Sequence, residues 1–277
     1  MKIAICAICR LENNYIREWV DYYKTLGIDH IFLYDNNDLN GERLIDILSQ
    51  DVNDGFVSIA EVFGREGLNK RGCQVGIYNE CFNSHKSEYD WFGFFDIDEF
   101  VYLPEMTLKE FLSNKMFDDT DVIHLSWQLY GDNGHCFYED KPVLERFTKP
   151  CPKDCYYAQK FPENKWTKSF VKCTNKNIKI YTHTTVVQNG ICRTATGRLT
   201  NCDLMQETEI CWENCYVKHF ITKSLQEHIE RRILFLANVF NNDLTTIDLQ
   251  LKCYFNINEH DEYKDALVNF IKKKLNY

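Results

Sequence analysis

Three acidic residues follow an apolar segment around position 95. Phe94 and Phe95 lead directly into Asp96, Asp98 and Glu99, which lie within four consecutive positions. Carboxylates two positions apart on an extended chain can share a hard divalent cation, and Mg²⁺ or Mn²⁺ prefers such oxygen ligands while keeping positions open for phosphate. Asp96 and Asp98 therefore predict a Mn²⁺ or Mg²⁺ site whose chemistry is the metal-assisted departure of a phosphate leaving group.

An isolated Asp-x-Asp pair is also typical of solvated residues at the end of a strand. The first predicted strand–helix connection, from Cys9 to Asn13, favours the metal because it contains no glycine. Neither the glycine-rich dinucleotide-binding turn nor the Walker phosphate loop can form there. If the protein binds a nucleotide, the diphosphate charge must be met by side chains or by a metal ion.

Hydrophobic periodicity predicts the elements that position these acids. The predicted strands are Ile3–Cys9, His30–Tyr34, Val57–Val62 and Trp91–Phe95, and helices with apolar residues at three- and four-residue spacing separate them, the last covering 70–84. Asn13 and Asn14 are the predicted caps of the first helix. Alternating strands and helices indicate an α/β protein with a parallel sheet and a ligand site beyond the carboxyl ends of its strands.

The pattern changes after about residue 104. A helix over 108–117 and a strand over 122–127 precede a proline-containing irregular region; three more strands are predicted over 168–171, 178–182 and 215–220, and helices over 224–239 and 262–275. Neither an internal repeat nor a linker is evident. We therefore predict a single domain over residues 1–277.

Composition limits the partners and the location. The chain has 277 residues and a net charge of −9, which argues against nucleic acid as a partner. We read the first residues as a strand rather than a signal peptide, and the odd count of 13 cysteines favours reduced thiols, so we expect a cytoplasmic protein. Residues 266–275 combine an apolar face with a lysine cluster, typical of a docked terminal helix or of peripheral binding to the inner face of the membrane.

The sequence resembles the nucleotide-sugar glycosyltransferases of the GT-A fold, in the branch that links bacterial family 2-like enzymes with glycosyltransferase family 92. Six segments between Ile3 and Glu230 carry the resemblance: CRLENNYIREWVDYYKTLGIDHIFLYDNND, KRGCQVGIYNEC, WFGFFDIDEF with its DXD motif, SWQLYGDNGH, LERF and VKHFITKSLQEH. The resemblance implies a Rossmann-like, mostly parallel sheet flanked by helices and followed by a mixed α+β half. It divides the domain into a nucleotide-binding half (1–104), an acceptor-side half (105–240) and a helical segment (241–277).

The resemblance also implies roles for individual residues in donor binding. In similar enzymes the ends of the first two strands hold the nucleoside, which here points to Ile8, Arg10, Glu12, Asp35 and Asn36. The start of the third helix would lie near the phosphates or ribose, and its candidates are Lys70, Arg71 and Gln74. Asp96 and Asp98 would hold the metal, with His219 as a further ligand and His183 as its competitor, while Lys223 or Arg71 would add positive charge.

A transferase of this kind needs a base for the acceptor hydroxyl and a surface for the sugar. Family 92-like enzymes are inverting, which favours one carboxylate as the base; Glu145 is preferred, and Asp132 is the alternative. A structural ion pair between Glu145 and Arg146 is the competing interpretation. Trp127 and Tyr130 are the candidates for stacking on a sugar face, although Tyr130 is equally suited to the core as part of an aromatic pair.

These implications describe a metal-dependent, inverting glycosyltransferase. It would transfer a hexose, with galactose favoured, from a UDP-sugar to a glycan or lipid-linked glycan. Two other functions stay open: a sugar nucleotidyltransferase, which normally has a glycine-rich first turn, and a catalytically inactive glycan-binding protein on the same fold.

Overall fold

A computed structural model of the chain describes residues 1–62, 73–153, 155, 163–202, 210–234 and 244–258. The chain divides into two compact units. The first combines Met1–Trp127 with Lys165–Lys218, and the second combines Gln128–Asn164 with His219–Tyr277. The prediction of one domain with a boundary near residue 104 stays a prediction.

The first unit begins with the predicted alternation of strands and helices. The strands are β1 (Ile3–Cys9), β2 (His30–Asp35), β3 (Val57–Glu61) and β4 (Trp91–Phe94), and the helices between them are α1 (Asn13–Thr25), α2 (Leu44–Asn53) and α3 (Cys73–His85). These strands lie in the order β3-β2-β1-β4 and are all parallel to their neighbours. Six of the seven residues of β1 are buried, as expected for a strand covered on both faces. The α/β class is therefore confirmed.

The sheet continues beyond β4 with strands that come later in the chain. They are β5 (Glu99–Tyr102), β6 (Val122–Leu129), β7 (Thr167–Lys172), β10 (Cys192–Thr194), β11 (Leu199–Thr200) and β12 (Tyr216–His219). In the described part of the chain the order is β11-β10-β6-β7-β4-β1-β2-β3, and β12 pairs with β5 and β6. β7 lies antiparallel between β4 and β6, which interrupts an otherwise mostly parallel sheet. A separate hairpin contains β8 (Ile178–Ile180) and β9 (Thr185–Val187).

Further helices complete the described residues. They are α4 (Leu108–Leu112), α5 (Val143–Arg146), α6 (Leu225–Glu227), which continues as a π-helix over His228–Leu234, and α7 (Leu244–Asn258), together with 3₁₀ turns at Lys115–Phe117 and Glu163–Lys165. The helix predicted over 108–117 is therefore two elements, because Asn114 Oδ1 accepts from Met116 N and caps a new turn. Helix α7 had no predicted counterpart, and the helix predicted over 262–275 lies outside the described residues.

The predicted caps of the first helix were wrong. Helix α1 starts at Asn13, with Glu12 at its cap position and no side-chain cap, while the Asn13 amide donates to Arg43 O instead. Glu99 begins β5, and its side chain is fully buried.

The cysteines are mostly free thiols. Cys192 and Cys202 form a disulfide, and the other eleven are unbridged, which agrees with the expectation that most are reduced. Among the described residues, no helix is both long enough and apolar enough to span a membrane.

Candidate active site

The acidic residues lie on a short turn between β4 and β5. Glu99 N donates to Asp96 O at 3.1 Å and closes the turn. Phe95 and Ile97 are buried and anchor the turn in the core, whereas Asp96 and Asp98 are only half-buried. This alternation brings the two carboxylates to the carboxyl end of β4, where a parallel sheet binds its ligands. We call Asp96, Asp98 and Glu99 the acid corner.

A lysine that the sequence analysis did not single out lies against the acid corner. Lys168 Nζ is 2.8 Å from Asp96 Oδ2 and 3.3 Å from Glu99 Oε2, and the lysine side chain is 1% exposed. The residue lies on β7, which the antiparallel pairing with β4 brings to this place. The sequence did contain a signal for this contact, because Lys168 lies in a predicted strand that is otherwise largely apolar. A lysine buried in such a strand almost always has a charged partner.

Helix α3 contributes two further partners of Asp96. Gln74 Nε2 donates to Asp96 Oδ1 at 2.7 Å, and the Tyr78 hydroxyl lies 3.3 Å from the same oxygen. Thr182 Oγ1 in turn donates to Gln74 Oε1 at 3.4 Å. Gln74 therefore lies beside Asp96. The other two candidates from this region, Lys70 and Arg71, lie outside the described residues.

The two carboxyls bound to Lys168 differ in their electrostatics. Burial acts to raise the pKa of Asp96, but the charge and hydrogen bond of Lys168 outweigh it and leave the pKa below its usual value. Burial raises the pKa of Glu99 well above its usual value, although Lys168 opposes this shift. Its other oxygen, Oε1, has no hydrogen-bond partner among the described residues. Asp96 is thus the carboxyl of this pair that holds its negative charge most firmly.

Two predicted nucleoside-binding residues, Asp35 and Asn36, lie at the end of β2 and in the loop that follows, and a third, Arg10, contacts this loop. Arg10 donates to Asn36 O at 2.9 Å and forms an ion pair with Asp38 at 3.0 Å. Asp35 is buried: its Oδ1 accepts from Asn37, and its Oδ2 accepts from Leu44 N at the start of α2. Asp35 thus orders the loop rather than presenting free oxygens.

The other nucleoside candidates flank this loop at the end of β1. Ile8 and Glu12 are half-buried, and the Glu12 carbonyl accepts the first backbone hydrogen bonds of α1. Because β1 and β2 are parallel neighbours, Cys9 pairs with Asp35, so the ends of the two strands meet as predicted.

An aromatic group occupies the first unit near the start of β7. Trp127 is 5% exposed, and its ring lies 5.0 Å from the ring of His183, which is 4.7 Å from that of Trp166. His183 is half-buried. Burial raises the pKa of Asp96, Lys168 lowers it, and the charge of His183 adds a smaller lowering effect. The competitor His183 therefore shares this unit with the acid corner.

The remaining candidates belong to the second unit. Glu145 is exposed in the first turn of α5, and its expected structural partner Arg146 is bound instead to Glu227 by two hydrogen bonds of 2.8 and 3.0 Å. Asp132 is buried and accepts hydrogen bonds from Gly134 N and from Tyr254 OH.

His219 and Lys223 are the other two candidates in the second unit. Both are buried, and Lys223 Nζ lies 3.4 Å from Phe220 O. Lys223 adopts a φ of 54°, in the left-handed region.

The acid corner can bind a divalent cation only if water and a bound donor supply part of its coordination shell. Among the described residues, no group of three or more His, Cys, Asp or Glu side chains is arranged to hold a metal ion. Asp96 and Asp98 offer two carboxylates, which suits Mg²⁺ or Mn²⁺ because these ions commonly bind one or two carboxylates plus substrate phosphates. Water and donor phosphates would supply the remaining ligands.

Comparison with known proteins gives the family. Residues 3–255 match the model of glycosyltransferase family 92. One similar protein is a glycosyltransferase family 92 protein of Arabidopsis thaliana, 27% identical over 132 residues, which are 47% of this chain and 22% of the relative. Another, from Ricinus communis, is 34% identical over 107 residues, 37% of this chain and 17% of the relative.

A third relative carries a more specific name. The galactan β-1,4-galactosyltransferase of Arabidopsis thaliana is 27% identical over 97 residues, 34% of this chain and 18% of the relative. The aligned parts of the chain thus span about a fifth of the length of these curated relatives. The family match, by contrast, extends over almost all of the sequence, and the chain belongs to glycosyltransferase family 92.

Proposed function

We propose that this chain transfers a hexose from a UDP-sugar to a hydroxyl group of a glycan or glycolipid acceptor, with inversion at the sugar carbon. Membership of glycosyltransferase family 92 supports the reaction class. Galactose is the favoured sugar, because one relative is named a galactan β-1,4-galactosyltransferase.

The acid corner is the observation that carries this proposal. Asp96 and Asp98 lie where β4 ends, beside the end of β1, whose connection to α1 contains no glycine. A nucleoside diphosphate at this edge of the sheet therefore meets carboxylates and side-chain donors instead of a backbone phosphate cradle. Acids at such a position suit a reaction in which a cation compensates the charge of the departing diphosphate.

In the proposed complex, Asp96 and Asp98 would hold Mn²⁺ or Mg²⁺, and water and the donor phosphates would supply the remaining ligands. A cation held there would supply charge compensation for the departing UDP. The loop ordered by Arg10 and Asp35 contacts the nucleoside, and Trp127 contacts the sugar.

The chain's own carboxylates would move the acceptor proton. Direct displacement with inversion needs one base opposite the leaving group, and Glu145 is our first candidate. Its exposure in α5 leaves the carboxylate accessible to an acceptor, whereas Asp132, the alternative, already accepts two hydrogen bonds.

Donor hydrolysis and nucleotide binding test the proposal together. The protein is incubated with Mn²⁺ and a panel of nucleotide sugars, and release of UDP is measured. We expect slow metal-dependent hydrolysis of a UDP-hexose and at least a roughly 10²-fold loss in Asp98→Asn, on the scale of a lost electrostatic contact to the leaving group. The control is Asp118→Asn, an exposed acid away from the corner, which should keep wild-type rates.

Other outcomes would select the alternatives. Release of pyrophosphate from a nucleoside triphosphate would identify a nucleotidyltransferase. Binding of glycans without hydrolysis of any nucleotide sugar would identify a glycan-binding protein. Full metal-dependent activity in Asp98→Asn would show that Asp98 is not a metal ligand.

A further inference from the structure

Lys168 is a buried cationic residue at the acid corner. Its side chain is 1% exposed, and its ammonium group contacts one half-buried carboxylate, Asp96, and one fully buried carboxyl, Glu99. Removing a charged group from water costs several kcal/mol, so such a lysine is retained only where its partners compensate it. β7 therefore carries a fixed positive charge into a site otherwise composed of acids.

Lys168, Glu99 and Gln74 each form a hydrogen bond with Asp96. Glu99 Oε2 accepts a hydrogen bond from Asp96 N at 3.0 Å and also contacts Lys168 Nζ. The Glu99–Lys168 ion pair therefore contacts both the backbone and the side chain of Asp96. Oδ2 of Asp96 accepts from Lys168, and Oδ1 accepts from Gln74. Both oxygens of this carboxylate therefore already accept a hydrogen bond from a protein donor.

The charge of the corner depends on the same lysine. Asp96, Asp98 and Glu99 are three potential negative charges, and Lys168 offsets one of them. A nucleoside diphosphate is repelled by this set of acids, whereas a divalent cation is attracted to it. Replacing the ammonium group by a neutral side chain must therefore change the two affinities in opposite directions.

We propose that Lys168 is a positioning residue of the donor site: it holds Asp96 as a hydrogen-bond acceptor and sets the charge of the acid corner so that the nucleotide diphosphate binds without prior binding of a divalent cation. The inference rests on the proposed function.

Two binding titrations of Lys168→Met test this role. We expect the affinity for UDP in the presence of EDTA to fall by at least about tenfold, and the affinity of the nucleotide-free protein for Mn²⁺ to rise by at least about tenfold. Isothermal titration calorimetry measures the first, and electron paramagnetic resonance of free Mn²⁺ measures the second. Structural damage alone would weaken both affinities, so the opposite signs identify the charge effect.

A neighbouring lysine provides the control. Lys172 lies on the same strand, is half-buried and donates to Asp118 O. Lys172→Met should keep both affinities within about threefold of wild type. Unchanged affinities in Lys168→Met, or a loss of both in a folded protein, would overturn the assignment.

The wild-type protein gives an independent measurement if Lys168→Met does not fold. The inference requires UDP binding in EDTA within about 30-fold of its value with Mn²⁺. UDP binding that occurs only with Mn²⁺ would overturn the role of Lys168 and leave the proposed function standing. Absence of UDP binding under both conditions would overturn the proposed function and this inference with it.

Discussion

Gln74 Nε2 donates a 2.7 Å hydrogen bond to Asp96 Oδ1. The bond links the first turn of α3 to the turn after β4, and its two residues are separated by 22 positions in sequence. Since Gln74 Oε1 also accepts from Thr182, one amide connects the acid corner to the segment after β8. The orientation of Asp96 thus depends on a helix and a hairpin as well as on its own strand.

We expect Gln74→Leu to weaken UDP binding in the presence of Mn²⁺ by about tenfold. A hydrogen bond to a charged group contributes about 1.5–3 kcal/mol, and its loss leaves Asp96 Oδ1 with only the longer contact to Tyr78. Calorimetric titration with UDP measures the effect. Gln50→Leu, at an exposed position on α2, is the matched control, and equal affinities of the two variants would contradict the role assigned to Gln74.

Glu145→Gln should preserve donor binding and reduce transfer by roughly 10²-fold, the usual scale of a lost general base. The substitution keeps the size of the side chain and removes only its ability to accept a proton. Initial rates with acceptor, compared with calorimetric UDP affinity, separate the two effects.

Glu139→Gln provides the comparison for Glu145. Glu139 is another acid of the second unit, half-buried and paired with His135 and Lys141, and its replacement should leave turnover unchanged. If Glu145→Gln also turns over at the wild-type rate, the base is Asp132 or another group.

Arg146→Met should destabilise the protein by about 3–5 kcal/mol, because it leaves Glu227 buried without its partner. The two side chains are 2% and 4% exposed and form two parallel hydrogen bonds. Urea unfolding measures the free energy. Lys141→Met removes an exposed ion pair and should cost less than about 1 kcal/mol; a comparable loss in both variants would show that burial does not strengthen the dependence on Arg146.

His124 should make the free energy of unfolding depend on pH. The residue is buried on β6, neither ring nitrogen has a hydrogen-bond partner among the described residues, and burial lowers its pKa to about 4. The unfolded chain takes up the proton near pH 6.5, whereas the folded protein does so only near pH 4. Its contribution is therefore complete above about pH 6.5 and is lost as pH falls toward 4, by about 3 kcal/mol in all.

Replacing the histidine should remove that part of the pH dependence. Urea unfolding of wild type and His124→Leu at pH 7.5 and pH 4 measures it, and the variant should lose about 3 kcal/mol less between the two values. Phe117→Leu, a buried substitution that does not titrate, should lower stability equally at both pH values. Parallel losses in wild type and His124→Leu would contradict the lowered pKa.

The sequence by itself determined the nucleotide-binding side of the fold. Strands β1 to β4, the helices between them and the position of Asp96 and Asp98 at a strand end follow from apolar runs and helical periodicity, which are local properties of the chain. Parallel order followed as well, since short βαβ connections permit few arrangements. For these residues the local pattern and the tertiary environment agree.

Only the tertiary structure decided what surrounds the acids. Lys168 lies 72 positions from Asp96, and no periodicity shows that β7 inserts antiparallel beside β4. Likewise Arg146 bonds to Glu227, 81 positions away, rather than to its sequence neighbour Glu145. Pairing between distant strands and between buried charges depends on which surfaces meet when the core forms. Such contacts therefore cannot be identified from local patterns in a single sequence.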